Sequence, residues 1–504
     1  MCAHDPKMTF NCRWYLIIYR ALVGTSRSPN HHCLSPSRVV LIVQLRAATP
    51  PGTKPSTPSG SGHLVFKSPL ARQYAVPERL PTVPFPIQPS YAGRLDASPT
   101  PKQASKIFFW FVPADDARGS NDLTIWINGD DCSGLIGAFN GNGPITMRGK
   151  TAVKNPNSWT RSSSMLYLDA PLNAGYSTGP VKQKGSADIG TLVFHFLVSF
   201  LKVFPEMKGK NLYLAGQAYS GTYVSYAADK IYAQQSMLAL KLQGTLLVNA
   251  FISTAELQQH IPAASYVTKN NDVFQFDPKM LKDLQATDNA CGLTEYLTQN
   301  LKYPPRGALP PVTKAIDPKQ APLFRDKCLI YYDMYHGTFE DFNLWNIHAK
   351  RGTSDPNYTK FTYPGQPEFQ KAFHVDGARR WHSCSNMDSV FPNGDASPPA
   401  TSKVLPNVIE RSKRTVIAHG SLDGSLPVDG IKLAIQGMTW GGKQGFQTPI
   451  NSNFLVSGKP SGKFHTERGL TFVEVTQSGS MMPQDQGEAA LALLEFLLGH
   501  RPTP

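Results

Sequence analysis

The stretch Asn211-Leu212-Tyr213-Leu214-Ala215-Gly216-Gln217-Ala218-Tyr219-Ser220-Gly221-Thr222 decides how the chain folds. It opens as a short β-prone run, passes through a cluster of small residues, and becomes helical in pattern from Thr222 to Gln235. A strand that turns so abruptly into a helix brings its turn backbone close to the sheet, which small side chains permit. Ala218 stands at the apex of that turn.

Further β-prone runs lie at Ile107–Val112, Leu123–Ile127, Met165–Leu168, Leu246–Val248, Thr415–Ala418 and Leu470–Val475. Helical patterns fall at Asp188–Phe204 and Glu488–Leu498. Strands alternating with helices over this length predict an α/β fold, with a mostly parallel sheet covered on both faces. The first two runs are split only by a polar stretch with Asp115, Asp116, Gly119 and Asn121, so they predict a hairpin. Residues 254–400 break the alternation and are rich in Asn, Asp, Pro and Tyr, which marks a cap insertion and return to a core of 105–253 and 401–504. Residues 50–101 hold 12 of the 42 prolines. Residues 63–104 therefore read as an irregular Pro-rich lead-in, and 1–62 as a tail with a possible targeting segment at Val39–Leu45 or a misassigned start.

The 504 residues are 41% apolar and 17% charged, which excludes a disordered chain. Net charge is +14, but residues 1–62 carry seven basic side chains against one acid, so no nucleic-acid partner is expected. No run reaches the roughly 18 apolar residues of a membrane span; Leu192–Phe204 is interrupted by His195, Ser199 and Lys202. Cys132, Cys291, Cys328 and Cys384 allow three pairings, and their spacing fits no zinc site. Neither metal nor cofactor is expected. Asn357-Tyr358-Thr359 is a glycan acceptor if the chain is secreted.

Gly216 to Gly221 resembles the G-E-S-Y-A-G nucleophile elbow of the serine carboxypeptidases, which are α/β-hydrolases of peptidase family S10. Trp126-Ile127-Asn128-Gly129-Asp130-Asp131-Cys132-Ser133 is similar to their W-L-N-G-G-P-G-C-S-S, and Gly137 to Pro144 to the following G-x-F-x-E-N-G-P. Asn155-Pro156-Asn157-Ser158-Trp159 resembles N-P-x-S-W, and Asp169 to Ser177 resembles D-Q-P-V-G-T-G-F-S. His419 to Asp423 and Ser478 to Pro483 resemble the segments of the catalytic acid and base. The blocks run in order over about residues 90–499, and the likeness is to fungal members.

The resemblance places the nucleophile at Ala218, the acid at Asp423 and the base at Ser480, so only the acid is retained. Triad chemistry needs an attacking oxygen and an imidazole to carry its proton, and neither is supplied. By the resemblance, one oxyanion donor matches Tyr219, directly after Ala218, and the other Gly129, in a turn where Asp130 and Asp131 replace glycine and proline and set negative charge beside a developing oxyanion. Recognition of a peptide's terminal carboxylate matches Asn128 and Gly129, while two proton-sharing glutamates fall at Gly141 and Gln217. The resemblance also implies bridges Cys132–Cys384 and Cys291–Cys328, and a secreted or vacuolar location.

The expected function is that of a pseudoenzyme that binds a peptide or small molecule in the old cleft. The competing enzyme reading is an active carboxypeptidase using another nucleophile, such as Ser220; a decayed product without function is the third. Plainer roles stand beside these. Asp423 reads as a turn-capping carboxylate near Gly424, His419 and His465 as structural histidines, and Asp130-Asp131 as a solvated turn.

Overall fold

A computed structural model of the chain describes residues 64, 66–100, 104–129, 131–311, 328, 330–331, 343–349, 361–377, 380–385 and 390–504. The Val39–Leu45 segment, Asp130 and the Asn357 sequon lie outside the described residues. In chain order the main sheet uses β1 (Ala75–Val76), β2 (Ser90–Asp96), β3 (Lys106–Val112), β4 (Asp122–Ile127), β5 (Ser164–Leu168), β6 (Asn211–Gln217), β7 (Lys241–Val248), β8 (Arg414–Gly420), β9 (Ser452–Val456), β10 (Lys459–Glu467) and β11 (Leu470–Val475). Their spatial order is β1-β2-β3-β5-β4-β6-β7-β8-β11-β10-β9. The six strands from β5 to β11 run parallel, and antiparallel strands extend both edges.

Alternation along β3 shows why helices cover both faces. Phe109 and Phe111 point to one side and pack with Phe196 and Phe200; Phe108 and Trp110 point to the other, where Trp110 stacks on Phe139 at 5.1 Å. The covering helices include α1 (Gly134–Asn140), α2 (Ser186–Val203), α3 (Ser220–Ala233), α4 (Val404–Arg411), α5 (Val428–Gly437) and α6 (Gly487–Leu498). Between β7 and α4, successive helices at Ile261–Lys269, Pro278–Cys291 and Leu293–Asn300 interrupt the strand–helix rhythm.

Two expectations are corrected. β3 and β4 do not form a hairpin: β5 lies between them, antiparallel to β3 and parallel to β4. Every position of β4 is buried, so it takes strand partners on both edges, β5 and β6, and the polar stretch after β3 crosses one strand position. Regular structure also begins before residue 105. β2 forms directly after Pro89, and its glycine, Gly93, lies against the Tyr74 ring and breaks the β-prone pattern that would have revealed it. By length and composition alone α2 is apolar enough to cross a membrane. Ile189, Val193, Phe196, Leu197 and Phe200 instead bury its apolar face against the sheet.

Among the described residues there are two disulfides, Cys132–Cys384 and Cys291–Cys328. The first ties the turn after β4 to a segment 252 residues away, which sharply restricts the unfolded chain. Replacing Cys132 and Cys384 together by serine is expected to lower stability by about 2–4 kcal/mol, read as the midpoint of guanidinium unfolding. Unchanged stability would show that the turn is held without the bridge.

Candidate active site

The site is assembled where the parallel strands end, the edge of an α/β sheet at which ligands characteristically bind. β6 finishes at Gln217, Ala218 takes φ 51°, and α3 begins at Ser220. A non-glycine residue in this left-handed conformation costs roughly 1–2 kcal/mol. Its surroundings fix it there: the Ala218 N–H donates to Val248 O (3.1 Å), and its carbonyl accepts from Gly221 N (3.0 Å) and Phe251 N (2.9 Å). The backbone of Gly129 passes so close that a Cβ on it would lie 2.3 Å from Gln217 O and 2.5 Å from the Ala218 methyl. Only glycine fits at 129.

Ser220 is fully buried, and its hydroxyl donates to the Asn128 carbonyl. It fastens the helix to the turn after β4 and is not presented to a cleft. Tyr219 stacks on Phe251 at 5.4 Å and donates its hydroxyl to Asp395 Oδ2 at 3.0 Å. Asp131 departs from the solvated turn expected of it. It has φ 56° and is fully buried, with Oδ1 accepting from the Tyr223 hydroxyl at 2.6 Å. A buried carboxylate requires donors, and α3 supplies one from a ring inside the core. This carboxylate is thus a structural tie between the turn and α3 rather than a charge set free beside an oxyanion.

Asp423 follows β8 and is also fully buried. Oδ1 accepts from Ser425 N (2.9 Å), Ser425 Oγ (2.6 Å) and Leu426 N (3.0 Å), while Oδ2 accepts from Asn249 Nδ2 (2.9 Å). Asn249 follows β7 with φ 46°. Ser480 follows β11, and the two segments touch: a Cβ on Gly420 would lie 2.3 Å from Ser478 O. Residues 343–349 bind across both. Leu344 O accepts from Gly424 N at 2.9 Å, and Trp345 O accepts from Ser480 N at 2.6 Å. Asp485 joins Gly479 N (2.8 Å) to Asn346 Nδ2 (3.0 Å).

Among the described residues, no histidine is hydrogen-bonded to Ser480, whose N–H donates to Trp345 O. His419 is buried, donates through Nε2 to Leu426 O at 2.6 Å, and stands 3.9 Å from Asp423 Oδ2. His465 packs edge-on against Phe446 and meets Glu467 at 3.1 Å. Gln217 and Gly141 converge on the segment after Ser480. Gln217 Nε2 donates to Met481 Sδ at 3.1 Å, and a Cβ on Gly141 would lie 3.2 Å from Pro483 Cβ. Asn128 Oδ1 accepts from Trp126 Nε1 at 3.2 Å. Among the described residues no group of three or more His, Cys, Asp or Glu is placed to hold a metal ion.

The sequence did not reveal Asn249, Tyr223 or residues 343–349 as parts of this arrangement. An asparagine directly after a buried strand is a signal for a left-handed residue and gave a hint of the first. The others carry no local pattern.

A parallel sheet with a left-handed apex between strand and helix defines the α/β-hydrolase class. The chain belongs to the serine carboxypeptidase family, whose profile matches residues 81–500. It is 31% identical over 454 residues to a carboxypeptidase Y homolog of Arthroderma benhamiae, covering 87% of this chain and 88% of that one. It is 29% identical over 480 residues to serine-type carboxypeptidase F of Aspergillus niger, covering 84% and 87%. The crystal structure of a prohormone-processing carboxypeptidase from Saccharomyces cerevisiae shares the fold, with a TM-score of 0.68 and 20% identity over 85% of this chain and 96% of that chain.

Two buried groups give the site its pH behaviour. Burial pushes Asp423 up to about 7, against donors that favour its charged form, and pushes His419 down to about 4. A raised acid contributes stability that is full below its ordinary 3.8 and is lost as pH rises towards 7. A lowered histidine does the reverse: its contribution is full above 6.5 and is lost as pH falls towards 4. The two slopes oppose each other between these limits. His419→Gln removes one of them, so relative to wild type it should be less stable at pH 6.5 than at pH 4.5, by roughly 1–3 kcal/mol in urea unfolding. A constant difference across that range would show that His419 is not held neutral. The elbow gives a second expectation. Ala218→Val should cost more than about 2 kcal/mol, because a β-branched side chain is ill suited to φ 51°, whereas Ala218→Gly should stay within about 1 kcal/mol of wild type. Equal effects of the two would rule out a left-handed apex.

Proposed function

We propose that this family member lacks triad peptidase activity and uses the former active-site cleft to bind a peptide or small-molecule ligand. The observation that carries the reading is Ala218, a methyl group where the elbow conformation would present a nucleophile. Losing the nucleophile or the histidine of such a triad costs about as much as losing all three members, on the order of 10⁶ in turnover. Ser480 adds the second loss, since an alcohol has no useful basicity at neutral pH. Asp423 then serves as a turn-capping carboxylate, consistent with its bonds to Ser425 and Leu426. The Ser220 alternative draws no support from a hydroxyl that is fully buried and bonded to Asn128. The two disulfides favour an oxidising compartment, so the protein is assigned to the secretory route or a vacuole, where Asn357 would be available for a glycan.

Hydrolysis of an N-blocked dipeptide between pH 4 and 7 tests the reading. The unmodified protein is expected to match the buffer blank, and a variant carrying both Ala218→Ser and Ser480→His is expected to gain measurable turnover. Rates of about 1–10³ per second from the unmodified chain would overturn the proposal.

A further inference from the structure

At the end of the sheet opposite the elbow, three neighbouring parallel strands begin at lysines. Lys210 directly precedes β6, Lys241 opens β7, and Lys413 directly precedes β8. Asn211 of β6 pairs with Lys241, and Gly244 of β7 pairs with Arg414, so the row follows the strand spacing of about 4.8 Å. Backbone bonds hold it in register: Lys241 N donates to Lys210 O at 2.9 Å, and Lys413 N to Gln243 O at 2.8 Å. Lys208 lies two residues before Lys210; Lys208, Lys241 and Lys413 are exposed. None of the four makes an ion pair among the described residues, unlike Lys432, which is held by Asp429 and Glu474. The acids of the adjoining segments are engaged elsewhere. Asp122, at the start of β4, is buried between Asn211 Nδ2 (2.8 Å) and His500 Nε2 (3.1 Å). Glu206 accepts from Lys67 N at 2.9 Å, and Glu410 from Gly441 N at 2.7 Å.

An apolar tip stands beside this row. Met237, in the turn Gln235–Met237 between α3 and β7, is 66% exposed, the most exposed large apolar side chain among the described residues. Two residues further on, Ala239 O accepts at 2.7 Å from Gly209 N, which lies between Lys208 and Lys210. We propose that this end of the sheet docks on a bilayer surface carrying anionic phospholipid, with the lysines among the headgroup phosphates and Met237 entering the interface. Unpaired lysines are mobile point charges, suited to a diffuse layer of negative charge. A nucleic-acid surface calls instead for free guanidinium groups and stacking rings. The arginines here are already committed: Arg411 Nη2 donates to Tyr232 O at 2.6 Å and Arg414 Nη1 to Phe496 O at 2.9 Å, each guanidinium lying over the ring of the residue it bonds. Since β6 runs from the lysine row to Ala218, docking leaves the elbow facing away from the bilayer, and the proposal does not depend on what the cleft binds.

The test is co-sedimentation of the full chain with vesicles of phosphatidylcholine, alone or mixed with phosphatidylserine, in about 0.1 M and about 0.5 M salt. Binding is expected to the mixed vesicles only, and should weaken at least about tenfold in the higher salt. Each lysine contributes roughly fivefold to partitioning, so Lys241→Gln alone should cost about that, and Lys208→Gln, Lys241→Gln and Lys413→Gln together about 30-fold or more. Met237→Ser should cost about threefold by removing apolar contact. All four side chains are exposed, so thermal unfolding should be unchanged by these substitutions. No binding to the mixed vesicles, or equal binding to both kinds, overturns the proposal. So does binding that survives the triple substitution, as it would if the seven basic side chains of residues 1–62 were responsible. Binding that Met237→Ser leaves unchanged, with a DNA duplex bound as tightly as the mixed vesicles, would make the row a general polyanion site and overturn the bilayer assignment.

Discussion

The backbone contact between Gly129 and the end of β6 is the constraint on which the site depends. It brings two turns from different strands to within van der Waals reach, and a single side-chain carbon at 129 would end it. Everything nearby acts to keep those turns in place. Ser220 reaches from the start of α3 to the Asn128 carbonyl, Tyr223 reaches one turn later to Asp131, and Cys132 is bridged to Cys384. Three fastenings of different chemistry thus converge on a loop of a few residues. Because they belong to backbone, buried side chains and a disulfide, none of them needs a nucleophile to persist.

The conformation of the elbow is therefore independent of the side chain it presents. The left-handed apex is held by hydrogen bonds to Val248, Gly221 and Phe251, all made by backbone atoms of Ala218, so the residue's side chain is free to vary within what φ 51° allows. Asp423 illustrates the same separation from the other side. Its carboxylate collects donors from Asn249, Ser425 and Leu426, and these bonds give it a reason to remain buried that is independent of any histidine partner.

How much of this was legible in the sequence follows from the range of the interactions. β4, β6 and α2 were visible because continuous apolar runs and helical periodicity are local properties. β2 was hidden by its glycine and by the prolines before it, and β3 and β4 were read as a hairpin because strand order is a non-local choice made by burial on both edges of β4. At the site, the segments that hold Ala218, Asp423 and Ser480 could be picked out because they resemble family motifs. The fate of Asp131 could not. An acid in a glycine-containing turn reads as solvated, and only the fold brings the hydroxyl of Tyr223, 92 residues away, to receive it. Asn249 and residues 343–349 likewise act through contacts between residues far apart in sequence, made at the ends of neighbouring strands.

The pattern of substitution bears on what the cleft does now. On the pseudoenzyme reading, Ala218 alone suffices to stop the chemistry, since triad members act as a unit. Ser480 then adds nothing to the loss, and neither do the neutral residues at 141 and 217. Such changes are therefore unconstrained by catalysis, and their physical effect has to be sought in binding. They remove ionisable groups from a buried place and leave amides, a thioether and glycine there. On the same reading the site keeps hydrogen-bonding groups that water reaches poorly, and a buried amide nitrogen without a partner has free energy to gain from a group that supplies one.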